Sequence, residues 1–138
     1  MVKDITALIG RLAVGIVFVA HGWQKFTEFG ISGTTATFDS MGVPLPSLSA
    51  WFSACVELAG GMAMIAGVAL PVVGVLLAFN MAGAWMIVHL PHGLIGEGGA
   101  AEVIVLGAAS LALGFNGGAY ALDRLLFKNN KVLNPAAA

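Results

Sequence analysis

The chain has 138 residues, of which 59% are hydrophobic and only 9% charged, with a mean hydropathy of +0.94 and a formal net charge of −1. Such a composition excludes an ordinary soluble domain, and the lack of a basic run gives no footing for nucleic acid. The single cysteine, Cys55, excludes an intrachain disulfide and a dithiol redox pair; it reads as a small packing residue turned about 200° away from Glu57 on the same helix.

Hydropathy predicts four membrane spans, near residues 5–23, 50–70, 72–90 and 100–120, each close to the roughly 20 residues that cross about 30 Å of hydrocarbon. The expected fold is all-α, an integral membrane four-helix bundle forming one domain over residues 1–127, followed by a tail over 128–138 that frays from Asn134 onward. The first span is no secretory leader, because Arg11 interrupts its apolar run and no small-residue cleavage pattern follows. Next comes a long loop from Thr27 to Ser49, in which Thr34–Met41 is predicted as a short interfacial helix, capped by Ser32 or Thr34 and stopped by Gly42 and Pro44. The second connection, at Leu70-Pro71, is short. A third, Gly-rich loop from Pro91 to Gly99 returns to the side of the first and carries His92 and Glu97. Lys3 before the first span, with Arg124, Lys128 and Lys131 after the fourth, predicts that both termini are cytoplasmic and that the two long loops are extracytoplasmic. Trp23, Trp51 and Trp85 all fall near that outer face, as an interfacial belt would.

Against this apolar background Arg11, His21, Glu57, Asn80, His89 and Glu102 stand inside or at the ends of spans. An ionisable group at mid-bilayer costs roughly 2.5–3.5 kcal/mol on insertion scales, so such residues face a protein interior, find partners and mark a candidate site. At about 100° per residue, Arg11, Phe18, His21 and Lys25 fall within an arc of roughly 80° on the first helix. On the second, Glu57, Gly60, Gly61, Met64 and Gly67 share a narrow stripe whose small residues admit a neighbouring backbone. Glu102, Ala109 and Asn116 align on the fourth, which predicts that three polar stripes turn inward together. Asn80 and His89 lie about 180° apart on an ideal helix, so both reach the centre only if Pro91 or the helix end re-aims His89. By depth, His21, Lys25, His89, His92 and Glu102 are expected near the outer surface, with Glu57 roughly 12 Å deeper. Arg11 and Asn116 are expected to pair near the inner third, and Asn80 or a water to link Arg11 with Glu57. The histidines come without any H-E-x-x-H or C-x-x-C pattern, so no metal is predicted.

The ordered motifs resemble the DoxX family of small bacterial and archaeal membrane proteins. They are Arg11, Gly15, Phe18, His21-Gly22 and Lys25; Gly42-Val-Pro44-Leu-Pro46; Glu57 with Gly60-Gly61 and Gly67; Glu102; and Gly117-Gly118-Ala119-Tyr120-Ala121-Leu122-Asp123. The family often has Ser where Ala121 stands. The resemblance implies a four-helix bundle in the plasma membrane with Arg11, His21, Lys25, Glu57, Glu102 and Asp123 as its matched polar positions. It also implies association with membrane oxidoreductase assemblies, including thiosulfate:quinone oxidoreductase and a mycobacterial complex joining superoxide dismutase to a thiosulfate sulfurtransferase. The residues are compatible with a quinone headgroup, to which His21 and Lys25 could donate while Glu57 or Glu102 relays a proton. Lipid, subunits of a redox complex, or further copies of the chain are the expected partners, since Gly/Ala-rich faces need neighbours. Two other functions fit the same residues: a scaffold whose inner charges are structural, and a small transporter or lipid-binding module.

Overall fold

In the computed structural model, residues 1–135 are described, and they contain helices and no strands. Helix α1 (Val2–Thr27) is followed by a surface helix, α2 (Gly30–Ser40), and by α3 (Pro46–Ala66) and α4 (Leu70–Ala84). The α4 axis continues through a π turn at Trp85–His89 and a 3₁₀ turn at Leu90–His92, so Leu70–His92 forms one rod of 23 residues. A shorter apolar helix, α5 (Ala101–Phe115), and a single turn, α6 (Asp123–Leu126), complete the fold. Three helical segments, Val2–Thr27, Pro46–Ala66 and Leu70–His92, are long and apolar enough to cross a membrane.

Most helix ends are set by backbone chemistry that the sequence displays. Proline occupies the first turns of α3 and α4, where its missing N–H would have no helical partner anyway. Gly67, with φ +77°, closes α3 in the left-handed region, and Gly42, with φ +76°, follows α2. The predicted loop helix exists but begins earlier, at Gly30. Ser32 and Thr34 are therefore interior residues rather than caps, and the Thr34 hydroxyl donates back to the Gly30 carbonyl at 2.9 Å. The last apolar helix stops at Phe115 instead of running toward 120, because Gly118, with φ +78°, folds the chain back toward α1.

Close backbone approach organises the packing into two pairs, α1 with α3 and α4 with α5, joined by α3 against α4. A Cβ on Gly61 would lie 2.8 Å from both the Gly15 carbonyl oxygen and the Val19 nitrogen, and one on Gly22 would lie 2.5 Å from the Leu58 nitrogen. Gly74 and Gly114 meet in the same way between α4 and α5. With lipid as solvent there is little hydrophobic drive between helices, so van der Waals contact at such small residues does the associating. Phe18, Met64, Leu70, Leu77 and Met81 fill the seam between the pairs. Helix α2 lies across the outer end of α3, and Phe26 packs edge-on against Trp51, with centroids 6.0 Å apart. Trp23, Trp51 and Trp85 are all exposed, as a belt at the membrane boundary requires. Cys55 is exposed on the outside of α3, so its expected packing role is not what the fold gives it; the residue does point away from buried Glu57. The expected fraying from Asn134 is corrected in part: Asn134 is only 7% exposed, while Ala136–Ala138 lie outside the described residues.

Gly61→Val should therefore separate α1 from α3 and destabilise the protein by about 1–3 kcal/mol, the usual cost of overpacking. Gly83→Ala, where an added Cβ meets nothing within 4 Å, should be neutral or slightly stabilising in the same thermal melt in detergent.

Candidate functional site

Two buried charge centres occupy opposite ends of the α1/α3 pair. At the end nearer the long loops, Glu57 of α3 is 4% exposed, yet both of its carboxylate oxygens are partnered. Lys25 Nζ donates to Oε2 at 2.6 Å; Asn80 Nδ2 of α4 and Ser53 Oγ donate to Oε1 at 3.0 and 3.2 Å. Three helices thus converge on one carboxylate. Helix α2 covers the approach, with the Thr34 hydroxyl within 3.5 Å of the Lys25 carbonyl oxygen. One turn before Lys25, His21 uses Nδ1 to contact the Val17 carbonyl oxygen at 3.0 Å and turns Nε2 toward Glu102 Oε1, 3.7 Å away. The residues of this polar column are unevenly exposed, with side-chain values of 5% at Glu57 and 16% at Lys25 against 43% at His21 and 67% at Glu102.

The geometry explains why depth arithmetic separated Lys25 from Glu57. Helix α1 continues past Trp23 to Thr27, and the four-carbon stem of Lys25 carries its ammonium from a position near the helix end back to the carboxylate. Ser53 was missed altogether, although it stands four residues before Glu57 and so shares its face.

At the other end Arg11 is completely buried. Its Nη2 donates to the Tyr120 carbonyl at 3.1 Å and its Nη1 to the Ile65 carbonyl at 3.5 Å, while Nε has no partner among the described residues. Asp123, 3% exposed, supplies the opposing negative charge. Its two oxygens accept from the Ala69 and Leu70 backbone nitrogens at 2.6 and 2.8 Å, so Asp123 caps α4 from more than fifty positions away. The turn it holds is strained: Ala69 sits at φ +49°, a conformation that L residues rarely adopt. A Cβ on Gly67 would collide with Arg11 Nη1 and lie 2.8 Å from the Ala121 methyl. No local signal announces this cap, because donor and acceptor are remote in sequence.

Several expectations fail here for identifiable reasons. Arg11 and Glu57 do not communicate through Asn80, since Arg11 lies 14 residues, or about 21 Å of helix, from Lys25. Asn116 does not pair with Arg11; it lies past the end of α5, exposed, with its amide on the Ala112 carbonyl at 2.9 Å. The Glu102–Asn116 stripe does not turn inward. The buried line on α5 is instead Ser110 and Gly114, the face selected by the close contact with Gly74. His89 is re-aimed by the π turn, but toward the third loop, where Nδ1 meets the Gly98 carbonyl oxygen at 2.8 Å. His92 is exposed with Nδ1 against the Val88 carbonyl oxygen at 3.1 Å, and Glu97 is exposed in the loop. Of the predicted residues, the structure brings together Lys25, Glu57 and Asn80 in one cluster and His21 with Glu102 in a second pair, one turn back along α1.

A polytopic helical membrane protein with buried, partnered charges is the class that this fold and these centres define. The DoxX family profile matches residues 6–90, and the chain belongs to the DoxX family. It is 37% identical to the Bacillus subtilis (strain 168) protein named "Putative oxidoreductase CatD", over 97% of this chain and 96% of the relative. Two Escherichia coli (strain K12) relatives, "Inner membrane protein YphA" and "Inner membrane protein YqjF", are 28% and 30% identical, over 88% and 91% of this chain and 91% and 95% of theirs. No solved structure matches. Relatives in the inner membrane and several apolar helices make this a multi-pass cell membrane protein.

Leaving buried acceptors without their donor costs about 1–3 kcal/mol. Arg11→Met, which strips the Ile65 and Tyr120 carbonyls of the guanidinium, should therefore destabilise the bundle by about that amount, measured by thermal unfolding in detergent. Asp123→Asn, which keeps one acceptor oxygen for the α4 cap, should cost about 1–3 kcal/mol in the same measurement.

Proposed function

We propose that this chain is the membrane subunit of a redox-associated assembly, in which the polar column above Glu57 receives a quinone headgroup. The observation that carries the reading is the Lys25–Glu57 ion pair, closed at 2.6 Å where three helices meet, with a second and more exposed ionisable pair, His21 and Glu102, on α1 and α5. Ionisable groups inside a membrane bundle mark a functional site by default. Lys25 Nζ retains donor capacity beyond its bond to Glu57 and can donate to a carbonyl oxygen. His21 spends its Nδ1–H on the Val17 carbonyl, so the neutral ring offers Nε2 as an acceptor, and Nε2 stands farther from Glu102 than a hydrogen bond allows. A donor for a carbonyl and an acceptor for a hydroxyl fit the two redox forms of the headgroup. A bound quinone would supply a two-electron, two-proton couple, with the electrons coming from a partner subunit. The chain's own part is to orient the carbonyl with Lys25, to accept from the reduced hydroxyl at His21 Nε2 and to hold or release a proton at Glu57. The relative named an oxidoreductase, matched along nearly its whole length, agrees with that assignment.

The asymmetry of positive residues supports both termini on the cytoplasmic side, with Lys3 and Arg124 at one end of the bundle and the polar column at the other. On that orientation the column lies toward the extracytoplasmic face.

A scaffold reading rests on one specific observation, that both Glu57 oxygens are already satisfied. The two are separated by Glu57→Gln and by the paired apolar change Lys25→Met/Glu57→Leu, which removes both charges without stranding either. On the redox reading both variants assemble, while quinone-linked turnover in isolated membranes falls by about a hundredfold, as for loss of a proton-transferring group. Unchanged turnover in a folded double variant would leave the pair with a structural role alone.

A further inference from the structure

A cleft lies far from the Lys25–Glu57 pair, at the end where α1 begins and α5 stops. Its volume is about 700 Å³, and its walls include Leu70, Leu113, Phe115 and Leu133 together with Lys3, Arg124 and Asn134. The charges around it are unevenly committed. Asp4 accepts from the Ala119 nitrogen at 2.7 Å and faces the N-terminal ammonium at 3.2 Å. Asp123 has both oxygens on the α4 cap, with Arg11 behind it. Both carboxylates are thus answered from within the protein. Lys3 and Arg124, by contrast, are exposed, and neither side chain has an ion-pair or hydrogen-bond partner among the described residues. Asn134, 7% exposed, also lines the cleft.

Two uncommitted cations beside an apolar wall, with Asn134 in the same lining, ask for an amphiphile with an anionic head. We propose that this cleft binds the phosphate of an anionic membrane phospholipid, with Lys3 and Arg124 on the phosphate oxygens, Asn134 on the glycerol or ester oxygens, and one acyl chain along Leu113 and Phe115. The position supports a lipid over a soluble phosphate. The cleft sits at the first turn of a membrane-length helix, which is headgroup level, and its apolar wall belongs to α5. Arg is suited to bidentate phosphate contact and Lys to a point-charge contact, so the pair divides the task as their chemistry allows.

The test uses the full-length protein in nanodiscs of phosphatidylcholine containing a minor fraction of phosphatidylglycerol, followed by native mass spectrometry of the released protein. The wild type should retain phosphatidylglycerol in excess of its share of the bilayer. Lys3→Gln/Arg124→Gln should reduce that retention at least about tenfold, since each cation near an anionic headgroup contributes appreciably. Lys128→Gln/Lys131→Gln removes the same charge outside the cleft and should leave retention within about twofold of wild type. Asn134→Leu, with no change of charge, should also lower it, which diffuse surface attraction does not predict. Equal losses in the two charge variants would overturn the site, as would wild-type retention that merely follows bilayer composition. Displacement of the lipid by millimolar glycerol phosphate would overturn the lipid assignment in favour of a soluble phosphate. Lys3 and Arg124 make no side-chain contacts that the fold needs, so an unchanged melting temperature is expected and confirms that loss of lipid is not loss of structure.

Discussion

Burial of the Arg11 guanidinium is the constraint on which the remaining architecture depends. A permanently charged group with five donors, fully removed from solvent, must be met by carbonyl oxygens and by a negative charge. The protein meets it with the end of α3, through the Ile65 carbonyl, and with the segment after α5, through the Tyr120 carbonyl. Asp123 then lies where its charge opposes Arg11 while its oxygens cap α4. One side chain therefore ties α1 to the α3–α4 turn and to the C-terminal segment. The left-handed Ala69 and the empty space at Gly67 are consequences: the first presents its N–H to Asp123, and the second leaves room for the guanidinium.

The Lys25–Glu57 centre is built on the frame so fixed. Gly15, Gly22 and Gly61 bring α1 and α3 close enough for a lysine on one to reach a carboxylate on the other. The two centres differ in what they leave open. Arg11 is fully buried, which suits a structural role, whereas the Lys25–Glu57 pair has the more exposed His21–Glu102 pair one turn back along α1. On the proposed reading, that contrast separates a charge that holds the fold from one that exchanges protons.

The separation of the two ends also divides the molecule chemically. One end carries a carboxylate with donors above it beneath the cover of α2; the other carries an apolar cleft with two uncommitted cations. In a membrane these are two different environments at opposite interfaces, and a single bundle presents both.

Membrane class and helical fold were determined by the sequence alone, because a long apolar run allows only a helix that satisfies its own backbone; the small residues at helical spacing on the second span marked a face that a neighbour approaches without saying which neighbour. Glu57 was visible for the same reason, as a charge that lipid does not tolerate. Only tertiary structure decided the partners. The face that α5 buries depends on Gly74 rather than on its own polar stripe: a Cβ at Gly74 would lie 2.5 Å from the Ser110 carbonyl oxygen, and the close backbone approach that glycine allows outweighs the weak preference of Glu102 at an exposed helix start. The direction of His89 depends on a π turn that shifts the helical phase, which an ideal 100° period does not contain. The Asp123 cap on α4 joins residues with no local relation, brought together by the burial of Arg11, and pairings of that kind are set by the packed chain rather than by spacing.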